Sequence, residues 1–219
     1  HLETFLTLEN TRKTNAELYE YLAEHNGVAF VNIAYKDLLE EADGVKQLIT
    51  YGGQGAQYQG HVSNLFPFLE VTYWIGDEEV IVGSQLIGKY NFENIMAAIA
   101  IAKELDVADQ LIQKAIAAYT PSNNRSQLMK VDSNTYILDA YNANPESMSA
   151  ALVAARDIAG DGRLGVVVGE MLELGAQSNR AHVDLGTAVA NATPAWVIAV
   201  GSVAEQIESG AVSAGLSPE

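Results

Sequence analysis

Asp139-Ala140-Tyr141-Asn142-Ala143-Asn144-Pro145-Glu146-Ser147-Met148 sets a carboxylate, a phenol and two carboxamides between an apolar run and a second, differently spaced apolar pattern. Upstream, Thr135-Tyr136-Ile137-Leu138 is a run of β-formers and predicts a buried strand. Downstream, Pro145 suits a first helical position, and Met148, Leu152 and Ala155 share one helix face. A strand that ends in Asp and hands over to a helix N-terminus is where an open α/β sheet holds ligands. Strand carboxyl ends form a crevice there, and helix amides attract anions. The same residues also suit plain capping of the helix by Asp139 or Asn144, and the local sequence leaves both roles open.

Toward the C-terminus, residues 163–169 read as an apolar core strand, followed by the loop Gly169-Glu170-Met171-Leu172-Glu173-Leu174-Gly175. A helix over 181–192 and a core strand over 196–200, ending in Gly201-Ser202, complete a strand and helix alternation that predicts a parallel sheet with right-handed crossovers. Toward the N-terminus lie a turn at Asp132-Ser133-Asn134 and a strand over 127–131. The polar, non-periodic Thr120-Pro121-Ser122-Asn123-Asn124 is the best boundary in the chain, so domains are expected at 1–121 and 122–219. The first domain opens with an amphipathic helix over 8–22, stopped by His25-Asn26-Gly27 with glycine as the cap. Strands over 28–31 and 47–51, a short acidic helix over 35–42 and an antiparallel hairpin within 62–86 follow. Gly52-Gly53-Gln54-Gly55 lacks the Lys-Ser or Lys-Thr pair of a phosphate loop and reads as a turn. Gly88-Lys89-Tyr90-Asn91-Phe92-Glu93-Asn94 introduces helices over 95–105 and 108–119, with Asn91 either an N-cap or a ligand contact.

Composition narrows the function. The formal net charge of −16 over 219 residues argues against nucleic acid or an anionic membrane as a partner. No apolar run reaches the roughly 20 residues of a membrane-spanning helix. With no cysteine, disulfides and thiolate metal sites are excluded, which fits a cytoplasmic protein. Phosphates, if bound, must be met by a few local cations, helix ends and metal.

The motifs taken together resemble the Mur ligase family, and within it the branch that adds D-alanyl-D-alanine. The resemblance rests on Asp139 to Pro145 with Ser147-Met148, Gly88-Lys89-Tyr90-Asn91 with Asn94, Asn123-Asn124-Arg125, the loop from Gly169 to Gly175, and His182, all in matching order. It implies an α/β fold: part of a central ATPase domain, with a mixed sheet, helices and an antiparallel hairpin, then a Rossmann-like C-terminal α/β domain, truncated at both ends. It also implies a monomer that uses ATP and Mg2+ to join D-alanyl-D-alanine to UDP-N-acetylmuramoyl-tripeptide in peptidoglycan precursor synthesis. An acyl phosphate would be the intermediate, so the chemistry needs positioning and charge neutralisation more than a protein nucleophile. By the same resemblance, Asn91 and Asn94 lie near the adenine, and Arg125 reaches the phosphates as the catalytic cation. Asp139 accepts the ribose hydroxyls, while Tyr141, Asn142 and Asn144 line the crevice. His1 corresponds to a histidine near magnesium, and Glu170 and His182 to positions near the crevice with direct or structural roles.

Three departures from that pattern shape the expectation. No Gly-x-x-x-x-Gly-Lys-Ser/Thr occurs in the sequence, so the usual cradle for the ATP phosphates is missing. The family's carbamylated lysine aligns with Asn15, which cannot carry a carbamate, so either the metal is held differently or Lys13 substitutes from another register. The late Lys-Gly-Ser-Arg segment falls beyond Glu219. The chain is therefore expected to be part of a longer ligase and inactive alone. The alternatives are another ligase of the Mur or folylpolyglutamate type, or a non-catalytic nucleotide-binding α/β module.

Overall fold

A computed structural model describes residues 7–122 and 124–217. The chain divides into two compact units, one spanning Glu9–Pro121 and one beginning at Ser122. No helix among the described residues is long and apolar enough to cross a membrane.

The Glu9–Pro121 unit is built on one mixed sheet. Its elements are α1 (Leu8–Glu24), β1 (Val28–Asn32), α2 (Lys36–Glu41), β2 (Gln47–Gly52), β3 (Tyr58–Asn64), β4 (Glu70–Ile75), β5 (Glu78–Gly83), α3 (Asn91–Glu104) and α4 (Asp109–Ala118). The strands lie in the order β1-β2-β3-β4-β5, parallel from β1 to β3 and antiparallel from β3 to β5. The β4–β5 hairpin closes through two residues, with Gly76 at φ 61° in the first turn position, a left-handed conformation that glycine adopts without strain. Val71, Tyr73 and Val82 of the hairpin pack against Ile95, Met96 and Ile99 of α3 and Ile112 of α4. A second cluster sets Ala29 and Val31 of β1 against Ala42, Val45 and the apolar face of α1. Lys103 bridges α3 to Asp109 at the start of α4, at 2.8 Å.

The stop of α1 differs from the sequence expectation. Asn26, not Gly27, takes the left-handed conformation, at φ 52°, and the Gly27 N–H returns to the Leu22 carbonyl at 2.7 Å. Asparagine tolerates that region better than other residues with a Cβ, so the cap moves one position earlier.

The second unit contains β6 (Gln127–Val131), β7 (Asn134–Leu138), α5 (Pro145–Ala159), β8 (Gly165–Val168), α6 (Ser178–Asn191), β9 (Trp196–Ala199) and α7 (Ala204–Ser213). β6 and β7 form an antiparallel pair, and β8 and β9 a parallel pair with α6 between them in sequence. Leu152 of α5, Leu185 and Val189 of α6 and Ile207 of α7 cover Val166 and Val168. α6 and α7 touch through glycine: a Cβ on Gly186 would overlap the Ile207 carbonyl, and one on Gly210 the Val183 carbonyl.

Two strand expectations are corrected here. β7 is not buried: Asn134, Thr135 and Tyr136 are exposed and only Ile137 and Leu138 are half-covered, because β6–β7 forms a sheet of its own. Likewise β8 and β9 are covered on one face only, with Val167 61% and Ile198 51% exposed side by side. A continuous apolar run predicts two buried faces, and helices cover just one in the described residues.

Candidate functional site

The loop from Asp139 to Asn144 leaves β7 and enters α5. Asn144 is the N-cap of that helix: its Oδ1 accepts the Ser147 N–H at 2.9 Å, and the Ser147 Oγ accepts the Asn144 N–H at 3.1 Å. Pro145 follows at the first helical position, where its missing N–H costs nothing. Such a cap contributes about 1 kcal/mol, so the capping role left open by the sequence belongs to Asn144. Asn142 folds locally, its Oδ1 accepting the Ala143 N–H at 2.9 Å, and stays exposed.

Asp139 does not cap the helix. Its Oδ1 accepts the main-chain N–H of Ser126 at 2.9 Å, with the Ser126 hydroxyl at 3.5 Å. The Ala140 N–H reaches the Asn124 carbonyl at 2.8 Å, so 124–126 is tied to 139–140 on both sides of Arg125. Asn124 and Ser126 sit at φ 55° and 49°. For serine that conformation costs on the order of 1 kcal/mol, offset by a hydrogen bond to a carboxylate. The Arg125 guanidinium carbon stands 3.9 Å from the centre of the Tyr141 ring. None of the ion pairs among the described residues includes Arg125. Arg125 and, fourteen residues on, Asp139 with Tyr141 are thus brought to one exposed cluster.

Asn91 and Asn94 meet in the other unit. Asn91 is the first residue of α3 instead of its N-cap, and it is buried. Its Nδ2 donates to the Ile87 carbonyl at 2.8 Å and its Oδ1 accepts from Asn94 Nδ2 at 2.9 Å. Asn94 is exposed, with its own Oδ1 and a second N–H facing outward from that bond. Beside them, Tyr35 donates to Glu93 at 2.8 Å. Burial first, then the charge of Glu93, pushes the Tyr51 phenol above its usual value, so it remains neutral near physiological pH.

His182 is a buried structural residue. Its Nε2 accepts the Met171 N–H at 2.9 Å and its Nδ1 lies 2.7 Å from the Ser178 carbonyl. A main-chain N–H can only donate and a carbonyl only accept, which fixes the proton on Nδ1. It holds the loop that carries Glu170, whose Oε1 accepts the Ser202 hydroxyl at 3.0 Å.

No three His, Asp or Glu side chains among the described residues converge as a metal site. Lys13 pairs with Glu9 at 3.8 Å on the exposed side of α1, and Asn15 is exposed on the same helix. His1 and Asn123 lie outside the described residues. Sequence reasoning missed two contributors, Ser126 and the Ile87 carbonyl. Both act through the main chain, and only the position of Ser126 beside Arg125 hinted at it.

Two family models match the chain: the Mur ligase middle domain over residues 1–102, and the Mur ligase, glutamate ligase domain over residues 124–218. The chain is similar to the UDP-N-acetylmuramoyl-tripeptide--D-alanyl-D-alanine ligase of Bacillus subtilis, at 34% identity over 128 residues, 58% of this chain and 28% of that protein. It is similar to the ligase of the same name from Escherichia coli at 29% identity over 215 residues, covering 95% of this chain and 47% of that protein. Among solved structures it is similar to MurF from Acinetobacter baumannii, with a TM-score of 0.80 and 26% identity over 96% of this chain and 46% of that one. The chain spans less than half the length of these relatives.

Proposed function

The chain belongs to the Mur ligase family, and on that premise we propose that it is the nucleotide-handling part of a ligase joining D-alanyl-D-alanine to UDP-N-acetylmuramoyl-tripeptide with ATP, in a cytoplasmic setting. The observation that carries the proposal is the Arg125 guanidinium stacked on the Tyr141 ring, with the next residue, Ser126, tied through its main-chain N–H to the Asp139 carboxylate. A cation and a carboxylate carried by two segments tied to each other suit the phosphate and ribose ends of one nucleotide.

The reaction asks these residues for alignment and charge neutralisation. The tripeptide carboxylate attacks the γ-phosphorus, the β–γ bridging oxygen leaves with ADP, and an acyl phosphate results. The amine of D-alanyl-D-alanine then adds to the acyl carbon and loses a proton, and phosphate departs as the amide forms. Arg125 offsets the negative charge that accumulates on the transferred phosphoryl oxygens, through N–H donors set along the edge of its guanidinium. Asp139 offers its second oxygen, which takes no hydrogen bond among the described residues, to the ribose hydroxyls. Asn91 and Asn94, in the Glu9–Pro121 unit, are assigned to the adenine by the family resemblance, with Asn91 Oδ1 accepting from Asn94 Nδ2. Magnesium is a different matter: the described residues offer no cluster that fits it, and no step is assigned to it.

Phosphate release by the intact protein, with tripeptide precursor, D-alanyl-D-alanine and ATP, tests the proposal. Release that depends on D-alanyl-D-alanine and not on L-alanine or L-glutamate is the expected outcome. Release driven by one of the single amino acids would move the protein to another Mur branch, and none with any donor would leave a non-catalytic nucleotide-binding module.

A further inference from the structure

The Tyr141 ring is 60% exposed and belongs to none of the hydrophobic clusters. Among the described residues its ring face meets the Arg125 guanidinium, at 3.9 Å from the centroid, well inside the roughly 6 Å range of a cation–π pair. Beneath it, the chain that carries Arg125 is fastened on either side. Asn124 O accepts from Ala140 N at 2.8 Å, and Ser126 N donates to Asp139 Oδ1 at 2.9 Å. Asn124 and Ser126 both hold positive φ, so Arg125 is lifted out of the strand that follows it. Ser126 is buried at 8% exposure while Arg125 points outward.

We infer that Tyr141 is a positioning residue whose ring face pre-sets the Arg125 side chain for the nucleotide phosphates, an inference that rests on the ligase assignment above. The chemistry of the guanidinium supports this division. Its flat face meets the ring, whereas phosphate is bound along its N–H edge, so the stack and the ligand do not compete. An arginine left free on a surface loses much of its rotamer freedom when it binds an anion. A ring that has already restricted those rotamers lowers that loss at the binding step. The phenol hydroxyl plays no part in the inference.

The test uses the intact protein. Replacing Tyr141 by Leu removes the ring and lowers kcat/KM for ATP about two- to fivefold, the range of an exposed cation–π contact, while the melting temperature stays within about 1 °C for so exposed a site. Tyr141→Phe, which keeps the ring face, recovers most of that loss. In an Arg125→Ala background the Leu substitution adds nothing further, because the group being positioned is already gone. A Tyr141→Leu protein with unchanged kcat/KM, or one whose loss is the same with and without Arg125, overturns the inference. So does failure of Phe to restore activity, since that would make the hydroxyl the working group. These outcomes all presuppose a wild-type protein that turns over, so an inactive wild type refutes the ligase assignment itself and is separable from them.

Discussion

Asn91, in the Glu9–Pro121 unit, and Arg125, in the unit beginning at Ser122, are held in opposite ways. Asn91 is buried and spends both ends of its carboxamide inside the protein, on the Ile87 carbonyl and on Asn94. Arg125 is exposed and spends none of its N–H donors on a carboxylate among the described residues. Its main chain is fixed instead, through Asn124 and Ser126. In the first case a side chain orients its neighbour, and in the second a backbone orients its own side chain. Burial therefore separates the residue that positions from the residue that reaches a ligand, a distinction the resemblance alone does not draw.

The sharpest break in that comparison comes from Arg125. Replacement by Ala should lower kcat in the intact ligase about a hundredfold, as losing one charged contact to a transferring group does. The fold should stay intact, since among the described residues the guanidinium meets only the Tyr141 ring. Lysine should restore only part of the rate, for it offers a point charge in place of an edge of donors. Steady-state phosphate release on the three proteins measures it, and an Arg125→Ala enzyme within a few-fold of wild type would remove the residue from the phosphate site.

Asn91 should behave in the reverse sense. Asn91→Ala leaves the Ile87 carbonyl without its donor and costs about 1–3 kcal/mol of stability, read as a lower midpoint in urea. Asn94→Ala, at an exposed position, should leave the midpoint within about 0.5 kcal/mol and raise KM for ATP several-fold. Equal stability loss in the two variants would erase the assigned difference between positioner and contact.

Asp139 combines both behaviours in one carboxylate, with Oδ1 on Ser126 and the other oxygen outward. Asp139→Ala should raise KM for ATP and lower stability by about 1 kcal/mol, the worth of the lost hydrogen bond. Asp139→Asn keeps an Oδ1 that can accept from Ser126, so most of the stability should return. An unchanged KM in Asp139→Ala would confine the residue to its structural tie.

Much of this was visible beforehand, for reasons that differ along the chain. Helices and the β4–β5 hairpin follow from side-chain periodicity and from Gly76, and both signals are local. The cap on α5 is equally local, because Asn144, Pro145 and Ser147 suffice for it. What the residues did not reveal depends on packing and main chain. β7 reads as buried because Tyr136, Ile137 and Leu138 are apolar, yet its first half is exposed among the described residues. The role of Asp139 went to a main-chain N–H thirteen residues upstream, which no pattern of side chains encodes. Asn91 looked like a cap since it begins a helix, whereas one residue's difference in register turned its side chain inward.

Alkali offers the mildest contrast, between the two units as wholes. Tyr19, Tyr51, Tyr58 and Tyr73 all lie in the Glu9–Pro121 unit, and burial raises each phenol above the ordinary 10.0. Tyr58 goes furthest, pushed up to about 12 by burial and then by its hydrogen bond to Glu104. A folded value above the unfolded one means that the neutral phenol is favoured by folding. The contribution is therefore complete below pH 10.0 and is lost as pH climbs from there through about 12. The Glu9–Pro121 unit should accordingly weaken through that interval, and absorbance near 295 nm should show a late-ionising phenol that Tyr58→Phe deletes. That variant loses the hydrogen bond at neutral pH but has a flatter alkaline decline, since one group fewer releases its proton on unfolding. A decline just as steep in Tyr58→Phe would assign the alkaline loss to the other three phenols and remove Tyr58 from it.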